Sequence, residues 1–421
     1  MTEVRPAAED RLRAVPWDAL PRLGPALDAP LAAVLGGSPA DAVLARLLRA
    51  RRELAPDART AVAEAVLGVG LWRRRLRFQL GRDGPPRLLL AVLLRDLAGR
   101  ADAAALAGVE AEALPPPRPP PPGLAARFSL PDWLADELRA AAGPEVEALA
   151  DALDLPGPVC LRANGLRTER GALAARLLAE GVATRPGRLA PACLVVTSRR
   201  PNVYGLPSHR EGLFEIQDEG SQLLGAAVGA RPGETVLDAC AGAGGKTLLV
   251  GADVGPGGRV HAADPDAERL ARLSLRAARA GAAGIVTVHG AEAPAGLSVD
   301  RVLVDAPCSE LGALRRGPDL RWRMDPAAFA GLPDRQLGIL ARAARHVRPG
   351  GRLVYATCTF RREEDEAVAL AFEAAHPGFA RTPPPADPSV LTPDGFLRTW
   401  PHRHGTDGFF AAVWTRSPSQ G

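Results

Sequence analysis

The chain has 421 residues, 47% of them hydrophobic and 24% charged, and a formal net charge of +4. That balance excludes a disordered or fibrous polypeptide, and the length exceeds what one hydrophobic core usually organises, so two or three domains are expected. Five cysteines, odd in number and without CxxC or Cys/His ligand spacing, exclude a disulfide framework and a zinc site, and no metal is expected.

The first thirty residues carry Glu3, Glu9, Asp10 and several prolines where a signal peptide needs an apolar run. No later stretch reaches about 18 uncharged apolar residues. A cytoplasmic, monomeric protein that binds no membrane is expected. Basic residues cluster at Arg46, Arg49, Arg51 and Arg52, at Arg73, Arg74, Arg75 and Arg77, and at Arg315, Arg316, Arg321 and Arg323. Clusters matter more than the total for a polyanionic partner, because each neutralised phosphate releases counterions. The alternative for any one cluster is a solvated helix face. Of the 52 basic residues, only Lys246 is a lysine.

Residues 1 to about 114 are predicted to be all helical, with apolar residues at three- and four-residue spacing in Asp41 to Glu53 and Ala58 to Leu80. The run Pro115 to Pro122 holds seven prolines and one arginine, cannot form helix or central strand, and predicts a stiff linker over 115–125. From 126 to 229, helices (Asp132 to Ala142, Glu145 to Leu153, Arg170 to Glu180) mix with short apolar runs such as Cys193 to Thr197, which predicts a small α+β domain. Over 230–418, strands at Thr235 to Asp238, Arg259 to Ala263, Ile285 to His289, Arg301 to Asp305 and Arg352 to Thr357 alternate with helical segments. That texture predicts an α/β domain with a doubly wound, largely parallel, Rossmann-like sheet.

The first of these strands runs into Ala239-Cys240-Ala241-Gly242-Ala243-Gly244-Gly245-Lys246-Thr247, a glycine-rich turn that opens a helix at the edge where such sheets bind nucleotides. The next strand ends at Asp264, about 20 residues downstream, where a carboxylate accepts ribose hydroxyls; together they indicate an adenosine-containing cofactor. The turn lacks the first glycine of the phosphate-binding GxxxxGK[ST] pattern. Two later strands end in Asp305-Ala306-Pro307-Cys308 and Thr357-Cys358-Thr359, so two thiols and a carboxylate are expected to converge at the same edge. One buried cysteine is ordinarily core; two at neighbouring strand ends point to chemistry.

Five ordered blocks, QDEGSQL (217–223), LDACAGAGGKT (237–247), DAPCSELGALRRGPDLRW (305–322), YATCTF with its acidic run (355–366) and HGTDGFFAAVW (404–414), resemble the Nol/Nop/Sun family of RNA cytosine-5 methyltransferases. The helical front, with LGVGLWRRRL (67–76), is similar to the NusB-like RNA-binding domain of the bacterial Sun/RsmB type, which modifies 16S ribosomal RNA. The resemblance implies S-adenosyl-L-methionine as cofactor, held by Cys240 through Lys246, Asp264 and Asp305, and ribosomal RNA as substrate. It makes Cys358 the nucleophile that adds to carbon 6 of cytosine, so that carbon 5 gains enamine character and attacks the methyl group. Asp305 is expected to hydrogen-bond the base, Cys308 to assist release of the product, and Lys246 to serve the site as a compact cation. Arg162, Asn164 and Gln217 to Glu219 resemble residues beside the cleft, either as contacts or as support.

The family pattern has proline at Ala243 and an adenine-contacting aspartate at Ala291, both absent here; Glu292 is the expected substitute for the second. Three alternatives follow from the residues: a transfer RNA substrate, a catalytically silent ribosome-assembly factor, and a DNA cytosine methyltransferase using the Pro307-Cys308 dipeptide.

Overall fold

The computed structural model describes residues 8–20, 24–198 and 201–418, which pack as two compact units. The first takes residues up to Pro156 together with Leu314–Pro326, and the second takes Gly157–Ala313 with the chain from Ala327 onward. Segment 314–326 thus packs in the first unit while the chain on either side of it packs in the second.

The first unit is all helical and is organised by a 25-residue helix, Pro56–Leu80, which starts on a proline at its first turn and stops at Gly81 in the left-handed conformation. The helices Asp28–Leu35, Ala40–Ala50 and Pro86–Val92 pack against it, around Trp17, Leu31, Val34, Val69, Leu76 and Leu90. The Pro115–Pro122 run has neither helix nor strand and lies inside this unit.

Within the 73–77 cluster, Arg73 and Arg75 correct the expectation of an RNA-facing patch, whereas Arg77 is exposed. Arg73 and Arg75 are buried. Arg73 donates to the Leu35 carbonyl at 3.1 Å and lies 4.3 Å from the centre of the Trp322 ring. Arg74 pairs with Asp132 at 2.8 Å, and Arg75 with Glu9 at 2.8 Å. These guanidiniums are consumed by internal partners, so replacing them by alanine loosens the helical unit rather than removing a phosphate contact. Arg46, Arg49 and Arg52 remain exposed.

Arg321 and Asp154 form an ion pair at 2.7 Å with both side chains fully buried. Arg321→Ala strands a carboxylate without its counter-ion and is expected to lower stability by about 3–5 kcal/mol, as a shifted denaturant midpoint. Arg321→Met combined with Asp154→Leu is expected to recover most of that loss.

The second unit opens with four strands, β1 (Cys160–Ala163), β2 (Thr184–Pro186), β3 (Cys193–Val196) and β4 (Phe214–Ile216). They form an antiparallel sheet in the order β2-β3-β1-β4. Leu173 and Leu177 of the helix Arg170–Ala179 cover Leu161, Leu194 and Phe214 of this sheet.

The larger sheet contains β5 (Thr235–Asp238), β6 (Arg259–Ala262), β7 (Val286–Val288), β8 (Val299–Asp305), β9 (Val347–Thr357), β10 (Phe379–Arg381), β11 (Leu397–Thr399) and β12 (Phe409–Arg416). Its order is β7-β6-β5-β8-β9-β12-β10, with β11 paired to β12. β5 to β9 are mutually parallel, and β12 runs antiparallel to β9. Alternate residues bury on opposite faces: Val236, Leu303 and Val354 in one core, Leu237, Val304 and Tyr355 in the other. The chain reverses its direction of strand addition between β5 and β8, which makes the loops after these two strands the natural ligand crevice. No helix among the described residues is long and apolar enough to cross a membrane.

Candidate active site

The loop after β5 turns through Gly242 (φ 52°) and Gly244 (φ 88°) before the helix Gly245–Val254 begins. A Cβ at Gly244 would lie 2.1 Å from Leu273, so both backbone angle and space require glycine there. Asp264 follows β6, and its two carboxylate oxygens accept from the backbone N–H of Gly242 and of Asp266, each at 2.9 Å. The carboxylate is thereby fixed beside the turn. Cys240 lies in the turn just after β5, and burial pushes its thiol above the usual range, so it stays protonated.

From the second residue of the helix, Lys246 Nζ donates to Asp305 Oδ2 at 2.6 Å. Burial alone would lower its pKa, but the Asp305 carboxylate, with smaller contributions from Cys358 and Asp238, holds the ammonium above its usual value. Asp238 accepts from Thr247 Oγ1 at 2.7 Å, and burial raises its carboxyl to about 6.

β8 and β9 are paired neighbours, with Asp305 opposite Ala356. The two cysteines that follow them meet with Sγ atoms 3.3 Å apart, both as free thiols. The Cys358 backbone N–H also points at the Cys308 sulfur, at 3.4 Å. The Cys308 thiol is pushed well up, first by its hydrogen bond with Cys358 and then by burial.

Several residues without a sequence-based role hold this pair in place. Ser309 and Thr359, each one residue beyond a cysteine, hydrogen-bond to each other at 2.8 Å. Glu364 accepts from the Ser309 N–H and from Gln336, both at 2.9 Å. Asp365 accepts from Thr357 at 2.6 Å and from Arg398 at 2.9 Å. The signal for the first pair was present: both blocks read Cys followed by a hydroxyl residue. Arg398 lies outside every block and had no signal.

Arg162, Asn164 and Gln217 are buried support. Arg162 bonds Gln217 and donates to the Gly245 carbonyl at 2.7 Å, while burial lowers its guanidinium to about 10, still charged at neutral pH. Asn164 donates to the carbonyls of Gly212 and Ala280 at 2.8 and 2.9 Å. Glu219 accepts from the N–H groups of Leu189 and Ala190 at 2.6 and 2.9 Å. Glu292 is not brought to the site: it is 75% exposed and faces Arg342 at 3.6 Å.

The family described as 16S rRNA methyltransferase RsmB/F matches residues 226–415, and the RsmF/B-like ferredoxin-like domain matches residues 130–202. A Synechocystis protein named "Probable ribosomal RNA small subunit methyltransferase B" is 35% identical over 301 residues, 69% of this chain and 67% of that protein. A Mycobacterium tuberculosis protein named "Putative methyltransferase Rv1407" is 36% identical over 384 residues, 88% of this chain and 78% of that one. Among solved structures, the methyltransferase homolog of Pyrococcus horikoshii superposes with a TM-score of 0.61 at 25% identity, over 69% of this chain and 97% of its own. The crystal structure of PH0851 shares the fold over 97% of this chain and 99% of its own, with a TM-score of 0.75 at 24% identity.

Proposed function

Since the chain belongs to the RsmB/F family of 16S rRNA methyltransferases, we propose that it methylates carbon 5 of a cytosine in ribosomal RNA, with Cys358 as the covalent nucleophile. The observation that carries this reading is the thiol pair, Cys308 and Cys358 at 3.3 Å, set at adjacent strand ends beside the Lys246–Asp305 ion pair.

S-adenosyl-L-methionine, when bound, supplies an electrophilic methyl group on sulfonium sulfur. The residues present fit it: the glycine turn from Cys240 to Lys246 leaves room for close approach of a ligand to backbone, and Asp264 presents a fixed carboxylate for ribose hydroxyls. Asp305, the last residue of β8, pairs with Lys246 of that turn.

Cys358 forms a carbon–sulfur bond to carbon 6 of the target cytosine, which turns carbon 5 into an enamine-like nucleophile. Asp305 hydrogen-bonds the base edge and favours the ring protonation that accompanies addition, while Lys246 keeps that carboxylate oriented. After carbon 5 has gained its methyl group it loses its proton to a base. The carbon–sulfur bond then breaks, and the electron pair returns to Cys358 sulfur. Cys308, whose sulfur lies 3.3 Å from that of Cys358, donates its thiol proton to the departing sulfur and eases its release. The target base must leave its stack to expose carbon 6, so loops and single strands are the accessible substrates.

The direct test is methylation of 16S ribosomal RNA with labelled S-adenosyl-L-methionine followed by nucleoside mass spectrometry. Label in 5-methylcytidine is expected; label in another nucleoside, or none, overturns the reading. The cradle is tested separately by calorimetry. Asp264→Ala is expected to weaken S-adenosyl-L-methionine binding by about 10-fold or more, as loss of a charged hydrogen-bond acceptor should, with RNA affinity nearly intact. Unchanged cofactor affinity would remove Asp264 from the cradle.

A further inference from the structure

Away from the cysteines, the second unit carries a cleft of about 420 Å³ between the small antiparallel sheet and the helix Ala267–Ala280. Arg272, Leu275, Arg276 and Arg279 of that helix line one side, and Tyr204 and the buried Glu215 the other. Three guanidiniums thus face one carboxylate. Arg276 and Arg279 share it: Arg276 donates to Glu215 at 2.8 Å, and Arg279 is bonded to its second oxygen. Arg272 is exposed and forms no ion pair among the described residues. The lining thus carries three guanidiniums against the one carboxylate of Glu215.

Its rim is apolar. Leu275 (74% exposed) and Tyr204 (68%) are the most exposed large hydrophobic side chains among the described residues, and both line this one cleft. Tyr204 is not loose: its ring stands edge-on to His209 with centroids 5.5 Å apart, and His209 packs in turn on Phe214. A held, solvent-facing aromatic ring beside an aliphatic side chain and unpaired arginine is the combination that binds an unstacked nucleobase and its phosphate. The volume suits one nucleotide. The cleft also reaches the cofactor turn, because Arg276 donates to the Ala243 carbonyl at 2.5 Å.

We propose that this cleft is a second nucleotide subsite, which seats an unstacked base of the RNA strand flanking the target on Tyr204 and Leu275, with its phosphate against Arg272. The proposal rests on the reading of the chain as an RNA methyltransferase. It adds a requirement: the substrate is single-stranded beyond the target base itself, since a duplex offers no free face to Tyr204. Arg276, shared between the cleft and the Ala243 carbonyl, ties the seat to the cofactor turn.

The test uses the full chain carrying Tyr204→Ala, Tyr204→Phe or Arg272→Ala, exposed positions whose exchange leaves the fold intact. Affinity for a fluorescent single-stranded RNA is measured across a salt series, with S-adenosyl-L-methionine affinity measured in parallel. Tyr204→Ala is expected to weaken RNA binding by about 5- to 150-fold, the loss of one base stack, while Tyr204→Phe retains it. Arg272→Ala is expected to reduce the salt slope by about one, the signature of one lost phosphate contact. Cofactor affinity should not move. Wild-type RNA affinity and salt slope in both alanine variants, in a protein that still methylates RNA, would overturn the subsite and leave the function standing. A wild-type protein that binds no RNA would overturn both. Loss seen only with assembled ribosomal subunits, and not with naked RNA, would assign the cleft to a protein partner and overturn the nucleotide seat.

Discussion

Cys358→Ala is expected to abolish methyl transfer, by on the order of 10⁴-fold or more, and to form no covalent complex with RNA, because the target carbon is never activated. Cys308→Ala is expected to behave differently, although its sulfur lies only 3.3 Å from that of Cys358. It retains the nucleophile, so addition and methyl transfer proceed. What it loses is the neighbouring thiol that hydrogen-bonds Cys358 sulfur and eases its departure. The thioether then persists, and a protein–RNA complex accumulates that survives a denaturing gel with radiolabelled RNA. The converse pattern, an adduct with Cys358→Ala and none with Cys308→Ala, would exchange the two roles and move the chemistry toward a Pro-Cys nucleophile.

Loss of the Asp305 carboxylate is expected to be nearly as damaging. Asp305→Asn should lower kcat by about 10²–10⁴-fold, the usual contribution of a positioned acid–base group, with RNA affinity changed little. Lys246→Met should fall within the same range. It leaves the Asp305 and buried Asp238 carboxylates without the cation that faces them. Because the two side chains act through one 2.6 Å contact, the double variant should lose no more than the worse single one. Losses that multiply would show that they act independently.

Much of the catalytic sheet was legible from sequence because its strands are buried on both faces and read as short apolar runs. β5 matches its expected span of Thr235 to Asp238, and β8 and β9 end where Asp305 and Thr357 were expected to end them. That is why the convergence of Cys308 and Cys358 was foreseeable: parallel neighbours put their carboxyl ends side by side. The strands β10 to β12 were not read as strands. The strand Phe409–Arg416 is continuously apolar up to Trp414 with no alternation, since it is buried between β9 and β10, and its antiparallel direction leaves no trace in composition.

The arginines misled for a related reason. An arginine reads as exposed, and only the folded chain shows Arg73 against Trp322 and Arg321 against Asp154. The same limit hid the cleft below Tyr204. Its parts come from a short turn at Val203–Gly205, one carboxylate of β4 and one face of the helix Ala267–Ala280, which begins some fifty residues of chain beyond β4. Glu292, expected to replace the missing adenine contact, lies exposed against Arg342 instead, because the segment after β7 turns it outward.

That Cys358 attacks carbon 6 of an RNA cytosine is tested most directly by trapping on an RNA whose cytosines are 5-fluorocytosines. Fluorine at carbon 5 takes the place of the proton that must leave, so once the methyl group is in place the thioether has no route to elimination. The wild-type protein, given this RNA and S-adenosyl-L-methionine, is expected to yield a denaturation-resistant complex whose proteolytic fragments carry the nucleotide on Cys358. A linkage mapped to Cys308, or methylation of the normal RNA with no adduct on the fluorinated one, would contradict it.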